Sequence, residues 1–133
     1  MIVEIDGNDG VGKTFIIEKL SSLFKKEDNI VFRDRGSLTK ATDNNSFFRE
    51  DGVCYILLDC DENISQERIK ERGDSIEEKY HTLVDLKFYR ERFLALANDN
   101  NIPIFRTDID RGVITKIYLY IIGYRDGYNS RNK

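Results

Sequence analysis

Apolar residues along this chain come in short continuous runs, and the stretches between them have a helical period. Met1-Ile2-Val3-Glu4-Ile5 predicts a strand over 1–6, because Ile and Val favour extended backbone. Over 12–26, Phe15, Ile16, Leu20, Leu23 and Phe24 recur at helical spacing, with Lys and Glu on the opposite face. Asp28-Asn29 interrupts that pattern, and 30–33 reads as a second strand. Residues 36–52 are polar and irregular, with one or two helical turns expected around 39–48. Val53–Asp59 is nearly all apolar, which suits a central parallel strand buried on both faces. A charge-rich helix is expected over 64–72, ended by Gly73. A longer one over 77–98 carries Leu83, Leu86, Phe93, Leu94 and Ala97 on one stripe. Ile102-Pro103-Ile104-Phe105-Arg106 reads as a fourth strand. Pro103 has no N–H to give a ladder, so an edge position is expected. Asp110 is placed to cap a last helix over 113–122 that Gly123 would end. Residues 124–133 are expected to form a polar, frayed tail.

Strands joined by helical crossovers form a parallel sheet with helices on both faces. The expectation is therefore an α/β, three-layer fold built on a short parallel sheet of about four strands. Repeats, low-complexity tracts and linkers are not visible, so 1–123 reads as a single domain.

Between the first strand and first helix stands Gly7-Asn8-Asp9-Gly10-Val11-Gly12-Lys13-Thr14. This is the G-x-x-x-x-G-K-[ST] phosphate-loop pattern in its strand–loop–helix context. Gly7, Gly10 and Gly12 permit positive φ and close backbone approach, so consecutive N–H groups converge on phosphate oxygens. The helix that follows adds its positive dipole end. Lys13 is then positioned for the β- and γ-phosphates and Thr14 for a Mg²⁺ ion. ATP and Mg²⁺ are the expected cofactors, and a P-loop NTPase fold the expected scaffold.

Composition narrows the classes further. The chain has 133 residues, 40% of them hydrophobic and 34% charged, which fits one soluble domain. A net charge of −3 argues against a nucleic-acid-binding surface. Every apolar run falls short of the ~18–20 residues a membrane span requires. The chain opens on its first strand, so no leader peptide is expected and a cytoplasmic location is. Cys54 and Cys60, six residues apart, are expected as buried thiols in a reducing compartment. His81 is the single histidine, too few for a histidine metal site or a His-dependent triad.

Several segments resemble the thymidylate kinase branch of the nucleoside monophosphate kinases. Ile5-Asp6-Gly7-Asn8-Asp9-Gly10-Val11-Gly12-Lys13-Thr14 is similar to that family's F-E-G-x-[DE]-G-x-G-K-[ST]. YILLDCDENISQERIKERG (55–73) looks like its Y-L-D-V-x-P-E-x-x-x-x-R-x-x-x-R-G. EEKYHTLVDLKFYRERFLALA (77–97) resembles the end of the lid and the following helix, and IFRTDIDRGVITKIYLYI (104–121) the closing strand and helix. The resemblance covers about three quarters of the chain in order and implies a lid-like segment at about 65–82. It implies that Gly7, Asn8, Gly10, Val11, Gly12, Lys13 and Thr14 hold ATP, with Arg68 and Arg72 as lid arginines around the transferring phosphoryl group. Val11 stands where some relatives carry a basic residue, so catalytic charge would have to come from the lid. Asp9 matches the acid that faces the acceptor's 3′-hydroxyl, and Lys79 and Tyr80 fall at acceptor contacts.

Arg33-Asp34-Arg35-Gly36 is open to two alignments. It resembles D-R-[YFH]-x-x-S, with Asp34, Arg35 and Thr39 in those roles. It also resembles R-E-P-G, with Arg33 and Gly36 matching. The first is preferred, and either puts an arginine at a strand's carboxyl end to clamp an acceptor phosphate. Asp34, or Asp59 at the end of the apolar strand, would hold a Mg²⁺-bound water.

The resemblance has a gap. Only about 26 residues separate the first helix from YILLD, where the family has a further strand–helix unit with base-contacting residues and dimerisation helices. Base specificity and oligomeric state therefore stay open, and a shortened form of viral type is suggested. Phe47, Phe48 and Tyr89 are candidates for a stacking platform. The expected activity is ATP-dependent phosphoryl transfer to a (deoxy)nucleoside monophosphate, a step of nucleotide biosynthesis with a nucleotide substrate and no membrane partner. One alternative is a deoxynucleoside or polynucleotide 5′-hydroxyl kinase with Asp34 as base, the one case that admits nucleic acid. Another is a non-catalytic nucleotide-binding protein with a degenerate acceptor site. A GTPase lacks its N-K-x-D motif here, and the chain is short for a helicase or transporter ATPase.

Overall fold

In a computed structural model, which describes residues 1–131, the four expected strands form one sheet in the order 2-1-3-4. They are β1 (Ile2–Asp6), β2 (Val31–Asp34), β3 (Val53–Asp59) and β4 (Ile104–Arg106), and every pairing is parallel. Strand alternation sorts the core into two layers. Val3, Ile5, Cys54, Ile56 and Leu58 pack against Ile16 and Leu20 of α1 (Lys13–Leu23) and Ile117 and Ile121 of α5 (Val113–Arg131). Tyr55 and Leu57 point the other way, onto Leu38 of α2 (Ser37–Asn44) and Phe93 and Ala97 of α4 (Leu83–Asp99). α3 (Glu62–Glu71) lies along α4. The result is an α/β fold with helices on both faces of the sheet.

All seven residues of β3 are buried, as its unbroken apolar run requires of a strand covered on both faces. β4 is an edge strand, and Pro103 beside it offers only its carbonyl, which accepts from Leu57 N–H at 3.0 Å. Cys54 and Cys60 are both buried and free, and burial pushes the Cys54 thiol up to about 12. Among the described residues no helix is long and apolar enough to cross a membrane.

Several boundaries differ from the sequence reading: α2 spans Ser37–Asn44 instead of 39–48, and α3 starts at Glu62 instead of 64. α1 stops at Leu23, and a 3-10 turn at Lys26–Asp28 leads to β2. α4 starts at Leu83 instead of 77, because the Thr82 hydroxyl caps it by accepting from Asp85 N–H at 3.1 Å. Residues 77–81 are consequently loop. α5 runs through Gly123 to Arg131, so 124–131 form a helix and not a frayed tail. The last two residues of that tail, Asn132 and Lys133, lie outside the described residues.

Tertiary contacts explain the longer helix. Tyr124 donates its hydroxyl to Val53 C=O at 3.0 Å, and Arg125 pairs with Asp28 at 3.1 Å. Together these outweigh the ~1 kcal/mol that a mid-helix glycine costs. A chain ending at Gly123 should therefore lose stability on the order of 2 kcal/mol, read as a lower urea midpoint. A frayed tail would leave that midpoint unmoved.

Candidate functional site

The loop at 7–14 leaves β1 at the carboxyl end of the sheet and turns straight into α1. Two glycines make this possible. Gly10 and Gly12 have φ of 81° and 91°, and a Cβ on Gly10 would stand 2.3 Å from the Ser65 carbonyl oxygen. The loop is also held from outside. Asn8 donates its side-chain amide to Leu86 C=O at 2.8 Å, and Val11 is buried in the core. Arg68 donates to Val11 C=O at 3.2 Å, Gly10 C=O at 3.4 Å and Thr107 C=O at 3.1 Å. Lys13 is buried, which pulls its pKa down, and its Nζ donates to Gly7 C=O at 2.7 Å and Asn8 C=O at 3.1 Å. α1 starts at Lys13 with no side chain capping its first turn. Its N–H groups therefore face the loop's concave side, a setting suited to an anion.

Two acids on β1, neither expected from sequence to matter, shape the neighbouring turn. Glu4 and Asp6 are each 1% exposed. Asp6 Oδ1 accepts from Gly36 N–H at 2.8 Å, from Thr39 N–H at 3.2 Å and from the Thr39 hydroxyl. Glu4 Oε2 accepts from Ser37 N–H at 3.0 Å. The two carboxylates thus cap α2, whose own N-cap residue, Gly36, has no side chain. Burial, then the charge of Asp6, raises the Glu4 pKa against the pull of Ser37 and Arg33. Arg33 pairs with Glu4 at 2.7 Å and Glu50 at 3.3 Å, which turns it away from the loop. Arg35, at φ 59°, turns toward the loop and pairs with Asp9.

Clefts run side by side around this loop. The first, of about 250 Å³, is lined by Lys13, Thr14, Asp34, Arg35 and Arg72 together with the loop from Asp9 to Gly12. On one side it shares Gly12 and Phe15 with a more apolar cleft of about 380 Å³, floored by Val11 and Ile16 and flanked by Arg68, Arg111 and Ile114. On the other it shares Asp9 and Arg35 with a cleft of about 220 Å³. Gly7, Asn8 and Thr39 also line that third cleft, together with Thr42, Asp43, Tyr80, Tyr89 and Phe93.

The structure therefore gathers Asp9, Lys13, Thr14, Asp34, Arg35 and Arg72 in one place, with Thr39 and Tyr80 next door. Arg72, paired with Asp74 at 2.5 Å, stays at the cleft wall. Other expected residues are engaged elsewhere. Arg33 serves Glu4, and Arg68 supports the loop's backbone and flanks the apolar cleft. Lys79 lies over the Tyr80 ring at 5.0 Å and does not line the cleft. Asp59 is gripped by Arg90 at 2.9 and 3.2 Å, with Arg106 at 3.5 Å, whereas Asp34 is exposed in the cleft. Phe47 packs edge-on to Tyr55 and Phe48 is exposed, whereas Tyr80 meets Tyr89 at 5.1 Å on the cleft wall. Among the described residues no cluster of three or more His, Cys, Asp or Glu could hold a metal ion.

His81 is the residue that composition alone set aside. Its Nδ1 lies 2.8 Å from Ser75 C=O and its Nε2 lies 2.9 Å from Asp9 Oδ2. Both neighbours are acceptors, so the imidazolium form, with hydrogen on both nitrogens, is the one that satisfies both contacts. Burial opposes that charge, but the Ser75 carbonyl and Asp9 outweigh it and raise the pKa above 6.5. Burial likewise raises Asp9, but His81, Arg35 and Lys13 overcome it and hold its pKa below 3.8. Glu78 also faces the ring, at 3.9 Å.

Set against known proteins, the chain matches no protein-family model, and no curated protein matches it significantly.

The clasp has a definite pH signature. His81 has a raised folded pKa, so its contribution is complete below 6.5 and is lost as pH rises through the raised value. Asp9 has a lowered one, so its contribution fails only in strong acid. The stability gap between the parent chain and His81→Phe should be widest near pH 6 and shrink steadily toward about pH 9. Urea midpoints across that range test this, and a gap independent of pH would show the ring acting only by packing.

Proposed function

We propose that this protein is a small nucleotide kinase that transfers the γ-phosphoryl group of ATP to a (deoxy)nucleoside monophosphate, as the thymidylate kinases it resembles do. One observation carries the reading: a charged cleft over the glycine loop joins an apolar cleft at Gly12 and Phe15 and a mixed one at Asp9 and Arg35. That order matches a donor base, a phosphate chain and an acceptor laid end to end. In the transfer an acceptor phosphate oxygen attacks the γ-phosphorus, the bond to the β-γ bridging oxygen breaks, and ADP leaves with that oxygen. The attacking oxygen is already ionised, so no strong base is required, and catalysis rests on alignment and positive charge.

Each residue has a part in this. The N–H groups of the loop and of the first turn of α1 cradle the β-phosphate, and Lys13 moves from the Gly7 and Asn8 carbonyls to the β/γ oxygens. Arg72 covers the γ-phosphoryl group from the end of α3. Arg35 clamps the acceptor phosphate, with Asp9 orienting its guanidinium. One hydroxyl and one carboxylate, Thr14 and Asp34, line the phosphate cleft and fit a Mg²⁺ ion that keeps most of its waters. That ion neutralises charge between the β- and γ-phosphates when bound. The cleft at Val11, Ile16 and Arg68 takes the adenine.

Asp34 favours a second reading. It is an exposed carboxylate in the phosphate cleft, so a hydroxyl acceptor would find a general base there. A screen of monophosphates, deoxynucleosides and 5′-hydroxyl oligonucleotides with labelled ATP separates the two. Product from monophosphates, reduced at least about 100-fold in Lys13→Ala, is expected. Product from hydroxyl acceptors alone would support the second reading, and ATP binding with no product would make the protein a nucleotide-binding one. Arg35→Ala should weaken use of the acceptor by about 10- to 100-fold in kcat/KM while sparing ATP binding.

A further inference from the structure

The cleft that Arg35 lines also carries a carboxylate, Asp43, that can only accept hydrogen bonds. Tyr89 donates its hydroxyl to Asp43 Oδ1 at 3.1 Å, beside the Tyr80 ring. Burial and Asp43 push the Tyr89 phenol up to about 12, so it keeps its proton and remains the donor. Thr42, 3% exposed, donates its hydroxyl to Thr39 C=O at 2.6 Å. Arg92 donates to Thr42 C=O and Asn45 Oδ1 and does not line the cleft. Asp43 is exposed and keeps its second oxygen for a ligand, and Thr42 keeps its lone pairs. An ionised carboxylate has no hydrogen to give.

The walls beside Asp43 are flat and apolar. Tyr80 and Tyr89 meet at 5.1 Å, and Phe93 adjoins them. Such walls suit a planar ring, and an acceptor group beside them requires that ring to bring N–H groups. Arg35 and Asp9, in the same cleft, suit a phosphate and a sugar hydroxyl.

We propose that the acceptor carries a nucleobase with an exocyclic amino group, which Asp43 reads, and that cytosine is preferred to thymine. This rests on the kinase reading and departs from the thymine specificity that the family resemblance implies. Cytosine and thymine have rings of one size and differ at position 4, in the N3 proton and by the thymine methyl, so the change that Asp43→Asn makes in their ratio isolates the hydrogen bonding. Cytosine directs its amino hydrogens at Asp43. Thymine has a carbonyl oxygen at that ring position. Its one edge donor, N3–H, is flanked by two carbonyl oxygens, so a carboxylate that accepts from it also faces an oxygen lone pair, and the contact to a two-hydrogen amino group is lost. A loss of that kind corresponds to about 10- to 100-fold in affinity.

The test is calorimetric titration of the full chain, with a non-hydrolysable ATP analogue and Mg²⁺ present. The probes are dCMP against dTMP and deoxycytidine against thymidine. The second pair keeps the base comparison valid whether the acceptor group is a phosphate or a hydroxyl. The cytosine member of a pair should bind about 10-fold or more tightly than its partner. Asp43→Asn, which gives the carboxylate position donor hydrogens, should bring the two within about 3-fold while ATP-analogue binding stays as in the parent. Equal or tighter binding of dTMP, or a ratio that Asp43→Asn leaves unchanged, would overturn the proposal. Tight dTMP binding with phosphoryl transfer would do so while upholding the kinase reading. If the ATP analogue binds and none of the four probes does, the proposal and the acceptor half of that reading fall together.

Discussion

Two carboxylates buried on a single strand face are the constraint on which the site depends. Glu4 and Asp6 alternate with Val3 and Ile5, so the face of β1 away from α1 carries acids instead of aliphatic side chains. Burying two like charges together is costly, and it is tolerated because the first N–H groups of α2 and the Arg33 guanidinium answer them. That solution fixes the neighbouring sequence. A Cβ at Gly36 would stand 1.8 Å from Glu4 Oε1, so only glycine fits there. Arg33 is drawn to Glu4, and the left-handed turn at Arg35 sends the next arginine of the pair toward the glycine loop.

The loop, for its part, is shaped by residues distant in sequence. α4 receives Asn8 through the Leu86 carbonyl, and α3 sends Arg68 to two loop carbonyls. Val11 anchors the loop's far side in the core shared by α1 and α5. A loop pinned on three sides keeps its N–H groups aimed without a ligand to organise them, which is what preorganised binding of an anion requires. Arg68 then acts on any bound phosphate chiefly by holding the backbone around it.

The strands and the loop were legible in the sequence because their signals are local. Continuous apolar runs such as Val53–Asp59, and glycines at fixed offsets before Lys13-Thr14, read the same way in any fold that buries them. The missed features depend on partners far away along the chain. Glu4 sat unnoticed inside an apolar run, since its partners Arg33 and Ser37 arrive only when β2 pairs with β1. His81 looked isolated because Asp9 lies 72 residues earlier. The aromatic pair at the cleft is Tyr80–Tyr89 and not Phe47–Phe48, since Phe47 is taken by Tyr55. The end of α5 was misjudged for the same reason: glycine marks a stop locally, and Val53 and Asp28 overrule it.

The wall between the cleft over the glycine loop and its neighbour is an ion pair, Asp9 with Arg35, and His81 backs it from the loop at 73–82. A molecule entering either cleft meets the same two side chains, so the two chambers share one boundary. Thermodynamics then fixes a symmetry between them. Whatever factor the first occupant applies to the affinity of the second, the second applies to the first. His81, with Nε2 2.9 Å from Asp9 Oδ2, ties that shared boundary to the loop at 73–82.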